Sequence, residues 1–570
     1  MSTAPTDRDR KMTEEPRWFE RNPELFQRHL REMEDLGFTL DEDALKKERL
    51  VRFRGVSRYD PAREIEITYP DGFPSISPTV RSPLRPGIAP LARHQDPCTG
   101  TLCVFGFADS RWHVEMEPLD IIVAAENLIR EYQPGAVIPD RDWVPEPRVN
   151  HFEYRPGWSI LIPPPFFDLS LDELRQYRRA RIRLRKENRA VRAIVTHLKT
   201  ASVEHRADRE FLSDWAQWLE RAQARNVSLR VVTDHPPFSS SNLDLLQWLG
   251  AHHISLNSKH DAWGLLVFPD EWLDRHQTRP AWLGIHASRY RANLIHCHPV
   301  SKDDYRVRTP FGDQLAGRTV LMVGCGSLGS ATAMALAQEG LGKLILADPD
   351  IYEPGNAVRH QVGIQSFGRP KAMALAERIR SVAPFSQVKV LPLSVGVSND
   401  EKGRRDFYTC FHEADLVVDT TGHQSVGHFL NDLCVRHGKP LVVASVTNGA
   451  WSAEVFRYRP GKSGCRLCWH LQGNRESVPS LPRERLIFAP GCNQPTFIGG
   501  AADVAVAGGL AARMITETLV NPDAGHDLLV WVNRDERGWL PRVETRAIPP
   551  DPRCVYCTNS RGAAGDHPCA

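Results

Sequence analysis

The stretch TVLMVGCGSLGSATAMALAQEGLGKLILADPD, residues 319–350, constrains this chain more than any other. An apolar run at 320–323 enters Gly324-x-Gly326-x-x-Gly329, a helical pattern comes next, and a second strand, KLILAD, ends on Asp348. Glycines permit the tight turn and let backbone approach a phosphate, and the helix N-terminus adds partial positive charge. An acidic residue about 20 positions beyond the glycines suits ribose hydroxyls. A parallel α/β sheet with a nucleotide at its edge is the fold this order of elements demands; a ligand-free glycine turn is the alternative.

The residues beyond Asp348 separate this loop from that of a dehydrogenase. Asp348-Pro-Asp350 leads to Asn356, Arg359 and His360, then to Gly368-Arg-Pro-Lys371. An amide, a guanidinium and an ammonium this close to the loop suit a triphosphate and charge developing on its α-phosphorus. Hydride transfer has no need of them.

The run GCGSLGS…LADPD…NAVRH…GRPKA resembles the ubiquitin-activating superfamily, which includes bacterial (ThiF/MoeB-type) activators of molybdopterin and thiamine sulfur carriers. The resemblance covers about 315–557 and implies ATP with Mg2+, attacked by a partner's C-terminal carboxylate to give an acyl-adenylate. It places Asp348 on the ribose and Asn356, Arg359 and Lys371 on the phosphates. The family's metal-binding aspartate comes after a strand, in a pattern like D-x-T-D-N; here ADLVVDTTGHQ puts Gly422 there, leaving Asp419 or Asp350 for Mg2+.

Two CxxC pairs, Cys465/Cys468 and Cys554/Cys557, supply four thiolates for tetrahedral Zn2+ in a structural role. Paired redox CxxC motifs are the alternative. Cys492 lies in a loop before an apolar, small-residue helix, where a helix dipole favours a thiolate. It resembles the crossover-loop cysteine of activating enzymes that form a thioester, particularly the homodimeric autophagy type. An incidental buried cysteine is the alternative.

Near the N-terminus, an amphipathic helix at 17–37, strand-like runs at 49–57 and 63–69, a proline-rich stretch, RHQDPCTGTLCVFG, Trp112 and a helix at 117–132 read as an α+β unit. With His94 and the turn before Cys103, it resembles ubiquitin-conjugating enzymes, which implies that Cys103 accepts the activated protein by thioester exchange. Asp96 stands where that family has an asparagine that steadies an oxyanion. A core thiol is the alternative for Cys103.

Residues 1–16 read as a flexible N-terminus, 17–135 as the conjugating-like domain, 136–170 as a proline-rich extended linker, 171–312 as a small α/β middle domain, 313–558 as a ThiF-type Rossmann-like adenylation domain with a mainly parallel sheet, and 559–570 as a flexible tail. A helix is expected over 171–192, with the arginines of 178–192 on its solvated face. The pattern His296-Cys-His298, with Ser301 and Asp304, has the wrong spacing for a metalloprotease.

The remaining composition narrows the setting. A net charge of +2 points to no nucleic-acid partner, and no apolar run reaches the roughly 18 residues of a membrane helix. The polar first residues lack a signal-peptide core, so a cytoplasmic protein is expected. The domain order resembles the conjugating–activating fusion of bacterial antiphage cyclic-oligonucleotide signalling (CBASS) systems. That resemblance implies a cyclic-nucleotide synthase or a ubiquitin-like protein as the activated partner, delivery to a target lysine, and a homodimer. A sulfur-carrier adenylyltransferase without conjugation and a non-catalytic nucleotide-binding scaffold are the alternatives.

Overall fold

The computed structural model describes residues 16–106, 109–188, 190–213, 215–238, 242–252, 254, 262–288, 291–396, 401–472, 478–482, 497–523 and 525–557. The chain divides into two units: Met1–Arg209 with Gln217–Pro299, and Glu210–Ala216 with Val300–Ala570.

The first unit begins as an α+β body, as the periodicity predicts. Helix Pro23–Asp35 and helix Pro118–Glu131 accompany a four-stranded antiparallel meander, Thr39–Leu40, Val51–Val56, Glu64–Tyr69 and Thr79–Arg81. Alternation along Val51–Val56 and Glu64–Tyr69 buries Phe53, Ile65 and Ile67 on one face. Met33, Ile121, Ala125 and Ile129 complete the core. Glu126 is buried but satisfied: its carboxylate accepts from the Ser57 hydroxyl at 2.6 Å and from Arg58 N–H at 2.8 Å.

The middle region departs from expectation in two places. The helix expected over 171–192 is a single turn, Leu171–Leu174, and strand Arg179–Glu187 comes after it. The arginines recur at every second position with Ala180, Ile182 and Leu184 buried between them, a period of 2 rather than 3.6. The stretch expected as an extended linker contains strand Tyr154–Ile162, which pairs with both Arg291–Pro299 and Ala190–Lys199. Through those two pairings the sheet closes on itself, running 154–162, 291–299, 274–288, 262–272, 223–231, 179–187, 190–199. The middle domain is thus a β-barrel-like body with helix Asn242–Ala251 against it, rather than a small α/β fold.

The second unit carries an eight-stranded sheet in the order 387–391, 343–347, 319–323, 416–419, 441–446, 452–458, 528–535, 538–546. The first five strands are parallel and the last three antiparallel. Helices Ser327–Gln338, Lys371–Val382 and Ala501–Val520 fill one core, and Glu401–Glu413 and Gln424–Arg436 another. Both faces of the parallel strands are covered, so those strands read as unbroken apolar runs.

The first unit's core has its own test. Ile67→Ala should cost about 2–5 kcal/mol. Hydrogen exchange should quicken across 51–56 and 64–69 and stay unchanged across 319–323 and 343–347. Loss of protection in both units would mean that they unfold together.

Candidate functional site

The glycine loop sits at the carboxyl edge of the parallel strands, where the chain order switches between 319–323 and its neighbours 343–347 and 416–419. Gly324 adopts φ +94°, and a Cβ there would stand 2.8 Å from the Thr421 backbone nitrogen. A Cβ on Gly329 would stand 2.1 Å from Gly324 O, so the helix approaches its own loop as only glycine permits. Gly326 caps helix Ser327–Gln338, and a Cβ on it would meet nothing within 4 Å. No side chain caps the first-turn N–H groups, an arrangement that suits an anion.

Asp348 fixes this loop. One carboxylate oxygen accepts Cys325 N–H at 2.6 Å and the other accepts Asp350 N–H at 2.8 Å. Burial raises its carboxyl above the usual range, against those two hydrogen bonds. Cys325 is fully buried and its thiol is held well above the ordinary range by that burial, which removes it as a nucleophile.

The segment after Asp350 folds back over the loop, closed by a bridge between Ile351 and Pro370. His360 docks it: Nδ1 accepts Val362 N–H at 3.1 Å, and Nε2 donates to Cys325 O at 2.8 Å. Burial lowers the His360 pKa, consistent with this neutral tautomer. Arg359 Nε donates to the Ser327 hydroxyl at 2.9 Å, at the helix N-terminus. Lys371 Nζ donates to Asp350 Oδ2 at 2.8 Å. Asn356 Oδ1 accepts Glu353 N–H at 3.1 Å, so it also shapes the turn. The expected residues Gly324, Gly326, Gly329, Asp348, Asp350, Arg359 and Lys371 therefore converge on one loop.

Asp419 lies beneath that loop. It is 2% exposed, and its Oδ1 accepts both N–H and hydroxyl of Thr421 at 2.9 and 2.7 Å. Its other oxygen faces Arg466 Nη1 at 3.8 Å. Asp350, whose side chain is 63% exposed, is the carboxylate of the pair that opens outward. Gly422 has φ +67° and offers no ligand.

Cys465, Cys468, Cys554 and Cys557 come together with all four sulfurs within 4.8 Å of one another. Sγ separations of 3.5 Å (465–554), 3.5 Å (468–557) and 4.0 Å (465–468) bracket the roughly 3.8 Å edge of a tetrahedral zinc thiolate with about 2.3 Å bonds. The donor set and spacing fit zinc.

In the first unit Cys103 is exposed, and its N–H donates to His94 O at 2.9 Å. Although the residue reaches the surface, desolvation by the surrounding chain, then the charges of Glu146 and Asp96, push its thiol above the usual range. His94 is held in a left-handed conformation, φ 61°, with Nδ1 2.9 Å from Glu146 and Nε2 3.1 Å from Asp142. Burial pulls the imidazole down, but the two carboxylates outweigh it and leave its pKa raised. Arg93 binds the same Asp142 and reaches Glu271 at 3.0 Å. Asp96 spends Oδ1 on the N–H groups of Cys98 and Thr99, both at 2.8 Å, which keeps it a turn-capping carboxylate. Glu146 and Asp142 were not legible as partners of His94, because they lie 52 and 48 positions away in a stretch read as linker. Cys492 lies outside the described residues.

The chain is 32% identical over 291 residues to the uncharacterized protein y4oA of Sinorhizobium fredii, covering 48% of each. It is 30% identical over 249 residues to the ATP-dependent ubiquitin transferase-like protein Cap2 of Pseudomonas aeruginosa, covering 42% of this chain and 40% of that one. It is 32% identical over 156 residues to the adenylyltransferase and sulfurtransferase MOCS3 of Xenopus laevis, covering 27% and 33%. These matches span about half or less of each relative's length. Among solved structures, Escherichia coli MccB with ATP aligns at 23% identity and TM-score 0.33, over 43% of this chain and 68% of that one. Residues 305–529, which hold the glycine loop, Asp348 and the first cysteine pair, match the model of the ThiF family.

Proposed function

We propose that this chain uses ATP to adenylate the C-terminal carboxylate of a partner protein. The observation that carries the reading is that Arg359 bonds Ser327 at the N-terminus of the glycine-loop helix, while Lys371 bonds Asp350, which Asp348 ties to the same loop. The partner's carboxylate oxygen attacks the α-phosphorus, an acyl–phosphate bond forms, and the bond to pyrophosphate breaks. Arg359 and Lys371 stabilise charge growing on the α- and β-phosphate oxygens, from donors already in place. Mg2+ bound with ATP would shield phosphate charge, and of Asp419 and Asp350 the more exposed Asp350 would meet it.

The conjugation half of the reading rests on the likeness of the N-terminal α+β body to conjugating enzymes and on the exposed Cys103. Cys492 attacks the acyl-adenylate carbonyl, AMP leaves, and a thioester forms; Cys103 then exchanges thioester for thioester with no further ATP. An amine, a target lysine, finally displaces the Cys103 sulfur. The similarity to Cap2, named a ubiquitin transferase-like protein, favours this relay over sulfur transfer. The resemblance of the domain order to the antiphage conjugating–activating fusions motivates a role in antiviral defence, a homodimer and a cytoplasmic setting. Zinc in the four-cysteine cluster is structural in this reading, clamping Cys465–Leu471 to the chain near 554–557.

Arg359→Ala and Lys371→Ala should each lower the rate of partner-dependent ATP–pyrophosphate exchange by about 10²–10³. Unchanged exchange would remove the phosphate role assigned to them. Cys103→Ser, purified with ATP and the proteins of neighbouring genes, should keep exchange and carry the partner as an ester on residue 103, read by mass spectrometry. An adduct on Cys492 alone would demote the first unit to docking; no adduct with active exchange would leave adenylation without conjugation. The purified protein should contain about one zinc per chain by elemental analysis, and Cys554→Ser should lose it with a lowered melting temperature.

A further inference from the structure

Arg466 lies inside the first cysteine pair, yet its guanidinium leaves the cluster. Nη1 stands 3.8 Å from Asp419 Oδ2, with the two side chains 8% and 3% exposed. Nη2 donates to Gln424 Oε1 at 2.9 Å. The pair meets over Gly427 of helix Gln424–Arg436: a Cβ there would stand 1.4 Å from Nη1 and 2.8 Å from Asp419 Oδ2. The missing side chain is the space the pair occupies. Asn431 ties the same arginine to the cluster, accepting Arg466 N–H at 2.8 Å and directing Nδ2 at Cys465 Sγ, 3.6 Å away.

On its far side Asp419 holds the Thr421 N–H and hydroxyl. The neighbouring Thr420 hydroxyl donates to Gly324 O at 2.7 Å, and the Thr421 nitrogen lies against Gly324. Contact is continuous from Cys465 through Asn431, Arg466, Asp419 and Thr420–Thr421 to the first glycine of the loop. The cation on one side and the donors on the other hold this buried carboxylate in one place.

We propose that Arg466 is a positioning residue that transmits the geometry of the four-cysteine cluster, through Asp419, to the nucleotide loop. The inference rests on the adenylation reading above, because it assigns that loop its ligand. Arg466 touches no substrate in this scheme; it sets where Gly324 stands and hence how well the loop N–H groups meet a phosphate.

The test compares wild type, Arg466→Gln, Arg466→Lys, Asp419→Asn and the Arg466→Gln/Asp419→Asn double variant. Zinc content, ATP dissociation constant by calorimetry, and amide exchange at 324–327 and 420–421 are measured on each. Arg466→Gln should keep its zinc, bind ATP about tenfold more weakly, and exchange faster at both segments. Arg466→Lys, which keeps the charge, should recover part of the affinity. The double variant should bind no more weakly than the worse single one, since one residue acts through the other. It leaves no unpaired buried charge, and where a single variant fails to fold, its own ATP affinity, expected about tenfold below wild type, carries the test. A zinc-loaded Arg466→Gln with wild-type affinity and exchange overturns the proposal, as do single effects that multiply in the double variant. Absence of ATP binding by the wild type itself overturns the adenylation reading instead.

Discussion

The Asp348 carboxylate is the interaction on which the candidate nucleotide site depends. By accepting the Cys325 and Asp350 N–H groups it joins the glycine loop after strand 319–323 to the chain leaving strand 343–347. Both strands end at the same sheet edge because they are parallel neighbours. Everything that carries charge toward the loop hangs from that join. Asp350 and the Lys371 that binds it begin and end the segment that folds back, and His360 pins that segment to Cys325 O. A carboxylate buried to this degree is tolerated because both oxygens are satisfied by backbone donors.

The first unit solves a comparable problem with opposite charge balance. Arg93 and His94 precede the exposed Cys103, and three carboxylates, Asp142, Glu146 and Glu271, converge on them. The network fixes the cysteine loop against chain that is distant in sequence. Desolvation first, and then the charges of Glu146 and Asp96, hold the Cys103 thiol above its usual range.

Much of the glycine-loop site was readable in advance because its residues are close in sequence and their types are dictated by backbone geometry. Gly324 needs a positive φ, Gly329 needs contact with Gly324 O, and Asp348 must end a strand beside the loop. Four cysteines in two pairs likewise announce a cluster without a fold. The strand that stands in place of a helix within 171–192 shows the converse: arginines at every second position look like a polar face at either period until a partner strand fixes which one applies.

By itself the sequence determined the parallel α/β core, the glycine loop and the two cysteine pairs, because each is encoded by local spacing. Tertiary structure alone decided which residues serve them from a distance. His94 meets Asp142 and Glu146, strand 154–162 closes the barrel, and Arg466 crosses from the cysteine cluster to Asp419. Those pairings are set by how separate elements bury their apolar faces together, and no window along the chain contains both partners.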